Sequence, residues 1–174
     1  MAKRETSYEI WLKEEGIPVV GGYGVEDVTE LALKPWQRTG GKGAYIDLKG
    51  MEGFTGMYVG EIPPGGALNP EHHLYEELIY IIQGVGATEV WSAGDEKRKM
   101  HFEWQQGSLF AIPLNARHRL VNGSREPVFF LAIGWGSDKP KAGGKAYVYK
   151  SVKEGGDQIE YEDEDPQIHS EFEN

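Results

Sequence analysis

The sequence predicts an all-β protein folded as a small closed barrel. Its apolar segments are short runs rich in β-branched and aromatic residues, such as LIYII at 78–82. Such runs are typical of strands rather than of independent helices. The 24 glycines and 9 prolines supply the tight turns that many short strands require. The length of 174 residues predicts one domain with a substantial core.

Residues 1–43 are predicted to form an N-terminal helix and arm. The sequence TSYE at 6–9 has the pattern of a capping box, which marks the start of a helix. The helix is expected to end near Gly16, because Pro18 follows closely. One weak strand is predicted at 28–33.

Residues 44–136 are predicted to form the barrel itself. The run at 77–83 would place apolar side chains on both faces of a strand, so we expect both faces to be covered. Strands are predicted at 44–48, 57–62, 77–83, 86–92, 99–105 and 127–135.

Residues 137–174 are predicted to form a C-terminal arm and an acidic tail. A last edge strand is predicted at 146–149. The segment 154–174 contains nine Asp or Glu residues and no Lys or Arg. Asp165 and Pro166 are a favourable helix start, so the tail fits either a short helix at 167–172 or a disordered acidic segment.

The composition excludes several classes of protein. The chain has no cysteine, so it forms neither disulfides nor thiolate metal sites. No apolar run approaches the roughly 20 residues of a membrane-spanning helix, and no apolar stretch follows Lys3 and Arg4 as it would in a signal peptide. A cytoplasmic location is therefore expected. The net charge of −10 argues against nucleic acid as a partner.

One short segment concentrates residues that can bind a metal. Five of the seven positions from 71 to 77 are His or Glu, and an apolar strand-like run follows at once. In an extended chain alternate side chains share a face, so Glu71 and His73 are expected to point the same way and His72 the other way. A turn at 74–76 would then bring Glu77 back beside His73.

A second segment, at 107–122, is predicted to be strand, turn and strand. Pro113 and Asn115 are the turn residues, and His118 follows directly after the turn. Asn122 is expected to fix a turn or the end of a strand.

Together the two segments resemble the paired sequence motifs of the cupin family. The first motif matches at Gly65, His73, Glu77 and Gly84, but Glu71 stands where the family has its first His. The second motif matches at Gly107, Pro113, His118 and Asn122, with Asn115 in place of a turn glycine. The resemblance covers about residues 47–135. It implies a small single-domain cupin, that is, a jelly-roll barrel (a double-stranded β-helix).

The resemblance also implies a divalent metal ion held by His73, Glu77 and His118. Two His and one carboxylate are the ligands of non-haem Fe(II) oxygenases. Glu71 is the favoured fourth ligand because the pleat places it beside His73, whereas a β-bulge would turn His72 inward instead. Two carboxylates favour Fe or Mn, although Ni, Co or Zn could also bind.

Other interpretations of these residues are open. His73 and His118 could be hydrogen-bonded core residues in a cupin that has lost its metal. Glu76 is expected to be a surface acid or a partner of a ligand. His101 is expected to be an ordinary strand residue, although in a small barrel it could reach the cavity. Arg117 and Arg119 are expected to form salt bridges, and His169 to belong to the tail. No catalytic residue is assigned.

Three functions fit the sequence. The first is an Fe(II)-type dioxygenase acting on a small oxygenated organic molecule. The second is a metal-dependent isomerase, decarboxylase or hydrolytic enzyme that needs no O2. The third is a non-catalytic cupin that binds a small molecule, although the fused DNA-binding helix pair that often marks a sensory cupin is not evident. Because the apolar strands exceed what one small barrel needs, we also expect a homodimer.

Overall fold

Two β-sheets enclose a shared core in the computed structural model, which describes residues 12–51, 55–73, 76–92, 97–113, 116–135, 147–151 and 159–163. The strands are β1 (Val19–Gly22), β2 (Lys34–Trp36), β3 (Gly41–Leu48), β4 (Gly56–Ile62), β5 (Glu76–Gln83), β6 (Val85–Trp91), β7 (Met100–Gln105), β8 (Leu109–Ile112), β9 (Arg117–Val121), β10 (Val128–Trp135), β11 (Tyr147–Ser151) and β12 (Ile159–Asp163). The predicted all-β jelly-roll architecture is confirmed.

The larger sheet has the strand order β1-β3-β4-β10-β5-β8, with β2 also paired to β3. Its pairs are antiparallel except for β1 and β3, which are parallel. The smaller sheet has the order β7-β6-β9, and both of its pairs are antiparallel. Residues of both sheets belong to one apolar cluster, so the core lies between them.

Four aromatic side chains fill the part of this core that lies under β3, β4 and β10. The Trp36 ring packs edge-on against Tyr45 and Tyr58, with centroid separations of 5.4 and 5.1 Å. Phe130 packs edge-on against Tyr58 at 5.9 Å. These edge-to-face contacts fix the orientation of the Tyr58 ring, whose hydroxyl group reaches the functional site.

The expectation that both faces of β5 are covered is wrong for one side chain. Glu77, Ile79 and Ile81 point into the barrel and are buried. On the opposite face Tyr80 is 42% exposed. The outward face of β5 is therefore only partly covered within one chain.

The predicted strand at 28–33 is also wrong. Residues Val28–Glu30 form a 3₁₀ turn, and the strand in this region is β2, beginning at Lys34. The Asp27 carboxylate accepts hydrogen bonds from the backbone N–H and the hydroxyl group of Thr29, at 2.8 and 2.6 Å. This local capping competes with strand pairing and explains the difference.

The two ends of the chain agree only in part with the predictions. Residues 12–15 are helical and Gly16 has φ +70°, so the predicted helix end is confirmed, while the capping box at 6–9 lies outside the described residues. In the acidic tail, residues 159–163 form β12 and pair with β11, so a disordered segment is the wrong description of these residues. The alternation in IEYED suits a strand. The helix predicted at 167–172 lies outside the described residues. The domain limits 1–43, 44–136 and 137–174 stay predictions.

Asn122 ties the end of β9 to two loops, as predicted. Its buried side-chain N–H₂ donates to the carbonyl groups of Ile62, Pro63 and Glu126, at 3.2, 3.2 and 2.7 Å. Its side-chain oxygen accepts hydrogen bonds from the backbone and hydroxyl groups of Ser124. The segment that follows His118 is thereby held in place.

A charged cluster lies on the outward face of the smaller sheet. Glu89 on β6 accepts hydrogen bonds from Arg119 Nε at 2.6 Å and from Lys99 Nζ at 3.0 Å. The predicted role of Arg119 in a salt bridge is confirmed. The hydrogen bond from Arg119, with that from Lys99 in addition, lowers the pKa of Glu89 to about 2 despite partial burial.

This cluster should make a small contribution to stability that depends on pH. Because the folded-state pKa lies below the ordinary value of 4.5, the contribution is present above pH 4.5 and is lost as the pH falls toward about 2. Its partners are partly exposed, so we expect less than about 1 kcal/mol. Urea unfolding of Glu89→Gln at pH 6 and pH 3 should show a smaller drop in stability than the wild type. An equal drop in both proteins would contradict this.

Candidate metal centre

Four buried side chains converge inside the barrel. Glu71, His73, Glu77 and His118 each offer one ligand atom, and these atoms all lie within 4.8 Å of one another. His73 Nε2 lies 3.3 Å from Glu77 Oε2, and His118 Nε2 lies 3.6 Å from the same oxygen and 3.8 Å from Glu71 Oε2. The sequence-predicted ligand set is therefore brought together.

Backbone pairing places Glu71 directly opposite His118. The two residues form an isolated antiparallel bridge, with Glu71 N–H donating to the His118 carbonyl at 2.7 Å and His118 N–H donating back at 2.9 Å. Directly opposite residues in such a pair point to the same side. Both side chains therefore enter the barrel.

The strand pattern places the other two side chains. Glu77 is the second residue of β5 and points inward with Ile79 and Ile81. Around position 72 the pleat is regular, since Glu71 and His73 are buried while His72 is only partly buried. The group of four includes Glu71 and not His72, so no bulge turns His72 into the site.

In each of the two carboxylates, one oxygen atom accepts a hydrogen bond from an outer partner and the other faces the histidine rings. Tyr58 donates its hydroxyl hydrogen to Glu77 Oε1 at 3.2 Å, which leaves Oε2 facing the two imidazole rings. Arg38 Nη1 donates to Glu71 Oε1 at 3.2 Å, which leaves Oε2 facing His118. In each case one oxygen atom is held and the other faces the centre of the group.

The electrostatics favour a charged Glu77. Burial raises the pKa of Glu77, but the interactions with His118 and His73 outweigh it and lower the pKa well below its usual value. Burial lowers the pKa of His118, but Glu77 and then Glu71 raise it overall. Burial and the two carboxylates raise the pKa of Tyr58 well above 10, so this hydroxyl group stays a donor.

The donor set fits a divalent cation. Two imidazole nitrogens and two carboxylate oxygens together carry two negative charges when the imidazoles are neutral, which matches the charge of the ion. Buried carboxylates cost free energy unless they are paired or bind a metal. The arrangement could therefore hold a metal ion.

Other residues singled out in the sequence lie elsewhere. The His101 side chain is 58% exposed and lies 3.9 Å from Glu89, so it is an ordinary strand residue, as predicted. Arg117 and Arg119 flank the buried His118 and are partly exposed. Asn115, His169 and the side chain of Glu76 lie outside the described residues.

Sequence reasoning missed Tyr58 and Arg38. Tyr58 lies in a predicted strand, and strand alternation alone could have marked it as an inward hydroxyl group. Arg38 lies between β2 and β3, where no periodic pattern predicts the direction of a side chain.

Removing the Tyr58 hydroxyl group should weaken metal binding. In Tyr58→Phe the oxygen Glu77 Oε1 loses its donor, so the carboxylate is less firmly oriented. Outer partners of this kind are typically worth roughly 10- to 100-fold in metal affinity. Calorimetric titration with Mn(II) measures the change, and Tyr80→Phe, on the outward face, is the matched control. Equal affinities in both variants would contradict the prediction.

Within the described part of the chain, none of the helices has the length and apolar character of a membrane span.

Comparison with known proteins shows which family this chain matches. The family model described as Cupin matches residues 47–146, more than half of the chain. A search of curated proteins found no match. Among solved structures, the oxalate decarboxylase of Lactobacillus farciminis in its formate complex is 26% identical, with a TM-score of 0.51 over 62% of this chain. The match spans only 31% of that enzyme.

One more distant solved structure shares the fold. Drosophila melanogaster CENP-C bound to CAL1 is 15% identical, with a TM-score of 0.52 over 63% of this chain and 84% of that one, which shows the fold alone. A protein from Photorhabdus luminescens is 24% identical, with a TM-score of 0.49 over 60% of this chain and 80% of that one.

Proposed function

Because this chain belongs to the cupin family, we propose that it is a metal-dependent enzyme acting on a small oxygenated organic molecule. Glu71, His73, Glu77 and His118 would hold the ion, and Fe(II) or Mn(II) suits this mixed nitrogen and oxygen set best. The observation that carries the proposal is the convergence of these four buried ligand atoms within 4.8 Å.

The residues around the ion would prepare it for an oxygen-donor substrate. When bound, the ion supplies Lewis-acid and one-electron chemistry. Tyr58 and Arg38 each hold one carboxylate oxygen, so the four side chains offer four ligand atoms in all. The buried surroundings of the site lower the local dielectric constant and so strengthen its electrostatic interactions.

The favoured reaction is the oxidation of the substrate by O2, as in Fe(II) dioxygenases. Such enzymes use two His ligands and one carboxylate, with positions left for small molecules. His73, His118 and Glu77 supply that set here, and Glu71 adds a second carboxylate. O2 is the oxidant, and the substrate class is a small organic molecule that presents two oxygen atoms to the ion.

The alternative is a metal-dependent enzyme that needs no O2, such as a decarboxylase or an isomerase. Two observations favour it. The second carboxylate, Glu71, makes the ligand set more anionic. The oxalate decarboxylase is similar to 62% of the length of this chain. A non-catalytic cupin that binds a small molecule is the third candidate.

One experiment distinguishes the three candidates. Protein reconstituted without oxygen with Fe(II), and separately with Mn(II), would be mixed with a panel of small hydroxy, keto and dicarboxylic acids. Uptake of O2 that requires both Fe(II) and substrate supports the dioxygenase. Product formed under argon supports the alternative. Tight ligand binding without turnover under either condition would contradict an enzymatic role.

We also propose that the protein is a homodimer. Tyr80 on β5 lies directly opposite Leu109 on β8, and these outward side chains are 42% and 64% exposed. An apolar pair on a partly covered sheet face suits packing against a second copy. Light scattering after size exclusion should give twice the chain mass of 19.4 kDa. A monomeric mass would contradict this proposal. A cytoplasmic location and a lack of nucleic-acid binding stay predictions from composition.

A further inference from the structure

Arg38 is a buried cation beside the proposed ligand Glu71. Its side chain is 2% exposed, and its guanidinium group lies between two carboxylates. Nη1 donates to Glu71 Oε1 at 3.2 Å, and Nε donates to Glu15 Oε2 at 3.0 Å. The same group stacks on the Trp36 ring, 4.4 Å from its centroid.

The backbone around Arg38 is tied to the segment that carries Glu71. The Arg38 carbonyl accepts a hydrogen bond from the Asn69 side chain at 2.8 Å, and the neighbouring Thr39 carbonyl accepts one from Asn69 N–H at 2.8 Å. Asn69 lies two residues before Glu71. With both ends anchored and the guanidinium group stacked, the contact between Arg38 and Glu71 has little freedom to move.

Glu15 completes the surroundings of the guanidinium group. Its side chain is buried, and it also accepts a hydrogen bond from the Trp36 indole N–H. One cation therefore serves two buried carboxylates, Glu15 and Glu71. Since an unpaired buried carboxylate is costly, the ion pair with Arg38 holds the Glu71 side chain in a fixed orientation.

That orientation has a consequence for the ligand set. Oε1 of Glu71 is occupied by Arg38, whereas Oε2 is the oxygen that lies 3.8 Å from His118 Nε2. A free carboxylate can bind a metal through either one or two oxygens. A carboxylate oxygen that already accepts a hydrogen bond from a guanidinium group is held away from the ion, which favours binding through the other oxygen.

We propose that Arg38 is a positioning residue that keeps Glu71 a ligand through a single oxygen and so preserves a position on the ion for an external molecule. This inference rests on the metal site proposed above. It explains how a Glu can occupy the place where the family motif has His, since each then contributes one ligand atom.

The test counts the water molecules bound to Mn(II). Because replacing Arg38 also breaks its ion pair with Glu15, the variant is Glu15→Gln/Arg38→Met and the matched control is Glu15→Gln. Pulsed electron paramagnetic resonance in ¹⁷O-labelled water reports how many waters bind Mn(II). We expect the control to match the wild type and the double variant to lose one water, because Glu71 then binds through both oxygens.

Each other outcome has a definite meaning. An equal water count in the control and the double variant overturns the role of Arg38, as does loss of Mn(II) from the double variant alone. If the wild type itself binds no Mn(II), the proposed metal site fails. That result differs from a failure of the role of Arg38, in which the wild type binds Mn(II) but the water counts are equal. Should the double variant not fold, a crystal structure of the wild type with Mn(II) decides. One Glu71 oxygen on the ion and the other on Arg38 supports the inference, and two on the ion overturn it.

Discussion

Replacing His118 with alanine should abolish binding of a divalent ion. His118 Nε2 lies within 4 Å of both Glu77 and Glu71, so its loss removes a ligand and the contact that links the two carboxylates. Outer partners of a ligand are typically worth 10- to 100-fold in affinity, so losing a ligand itself should cost more than about 100-fold. Metal analysis after dialysis should find close to one ion per wild-type chain and almost none in the variant.

The control for this change is His101→Ala. His101 lies on β7 of the same sheet, and its side chain is 58% exposed, with Nδ1 3.9 Å from Glu89 Oε1. The control should keep the wild-type metal content. Equal metal content in His118→Ala and His101→Ala would show that the ion, if any, binds elsewhere.

Among the substitutions considered, Phe130→Ala should cause the largest decrease in the free energy of unfolding. The ring is 1% exposed, packs edge-on against Tyr58 at 5.9 Å, and fills the space above Gly60, where a Cβ atom would lie 2.4 Å from Phe130 Cζ. Removing such a ring from a core leaves a cavity and typically costs about 3–5 kcal/mol. Urea unfolding measures the loss.

The neighbouring residue provides the control. Phe129 lies on the same strand but points to the opposite face and is only partly buried. Phe129→Ala should therefore cost clearly less than Phe130→Ala. A smaller loss for Phe130 than for Phe129 would contradict the assignment of the core side of β10. Because Phe130 supports Tyr58, its loss should also weaken metal binding.

The fold could be predicted because its strands carry strong local signals. The runs at 77–83 and 127–135 match β5 and β10 almost to the residue. The four proposed ligands could be predicted because motif spacing and strand alternation place them on one face. The preference for Glu71 over His72 followed from the same alternation, and the regular pleat at 71–73 agrees with it.

The features that sequence missed depend on long-range contacts or on local capping. Arg38 meets Glu71 across 33 positions, and no spacing rule connects two residues outside regular strands that far apart in the sequence. Glu15 is reached across 23 positions by the same guanidinium group. The 3₁₀ turn after Asp27 replaced a predicted strand because one carboxylate satisfied the local donors. The pairing of β12 required a partner strand, which a tail rich in acidic residues did not suggest.

The most direct test of the account is anomalous diffraction from crystals of protein purified without added metal, recorded at the absorption edges of Mn, Fe, Ni, Co and Zn. One peak is expected within bonding distance of Nε2 of His73 and His118 and of Oε2 of Glu71 and Glu77. No peak between the two imidazole rings after Fe(II) or Mn(II) is supplied, with the side chains placed as described, would contradict the metal centre and the enzymatic function built on it.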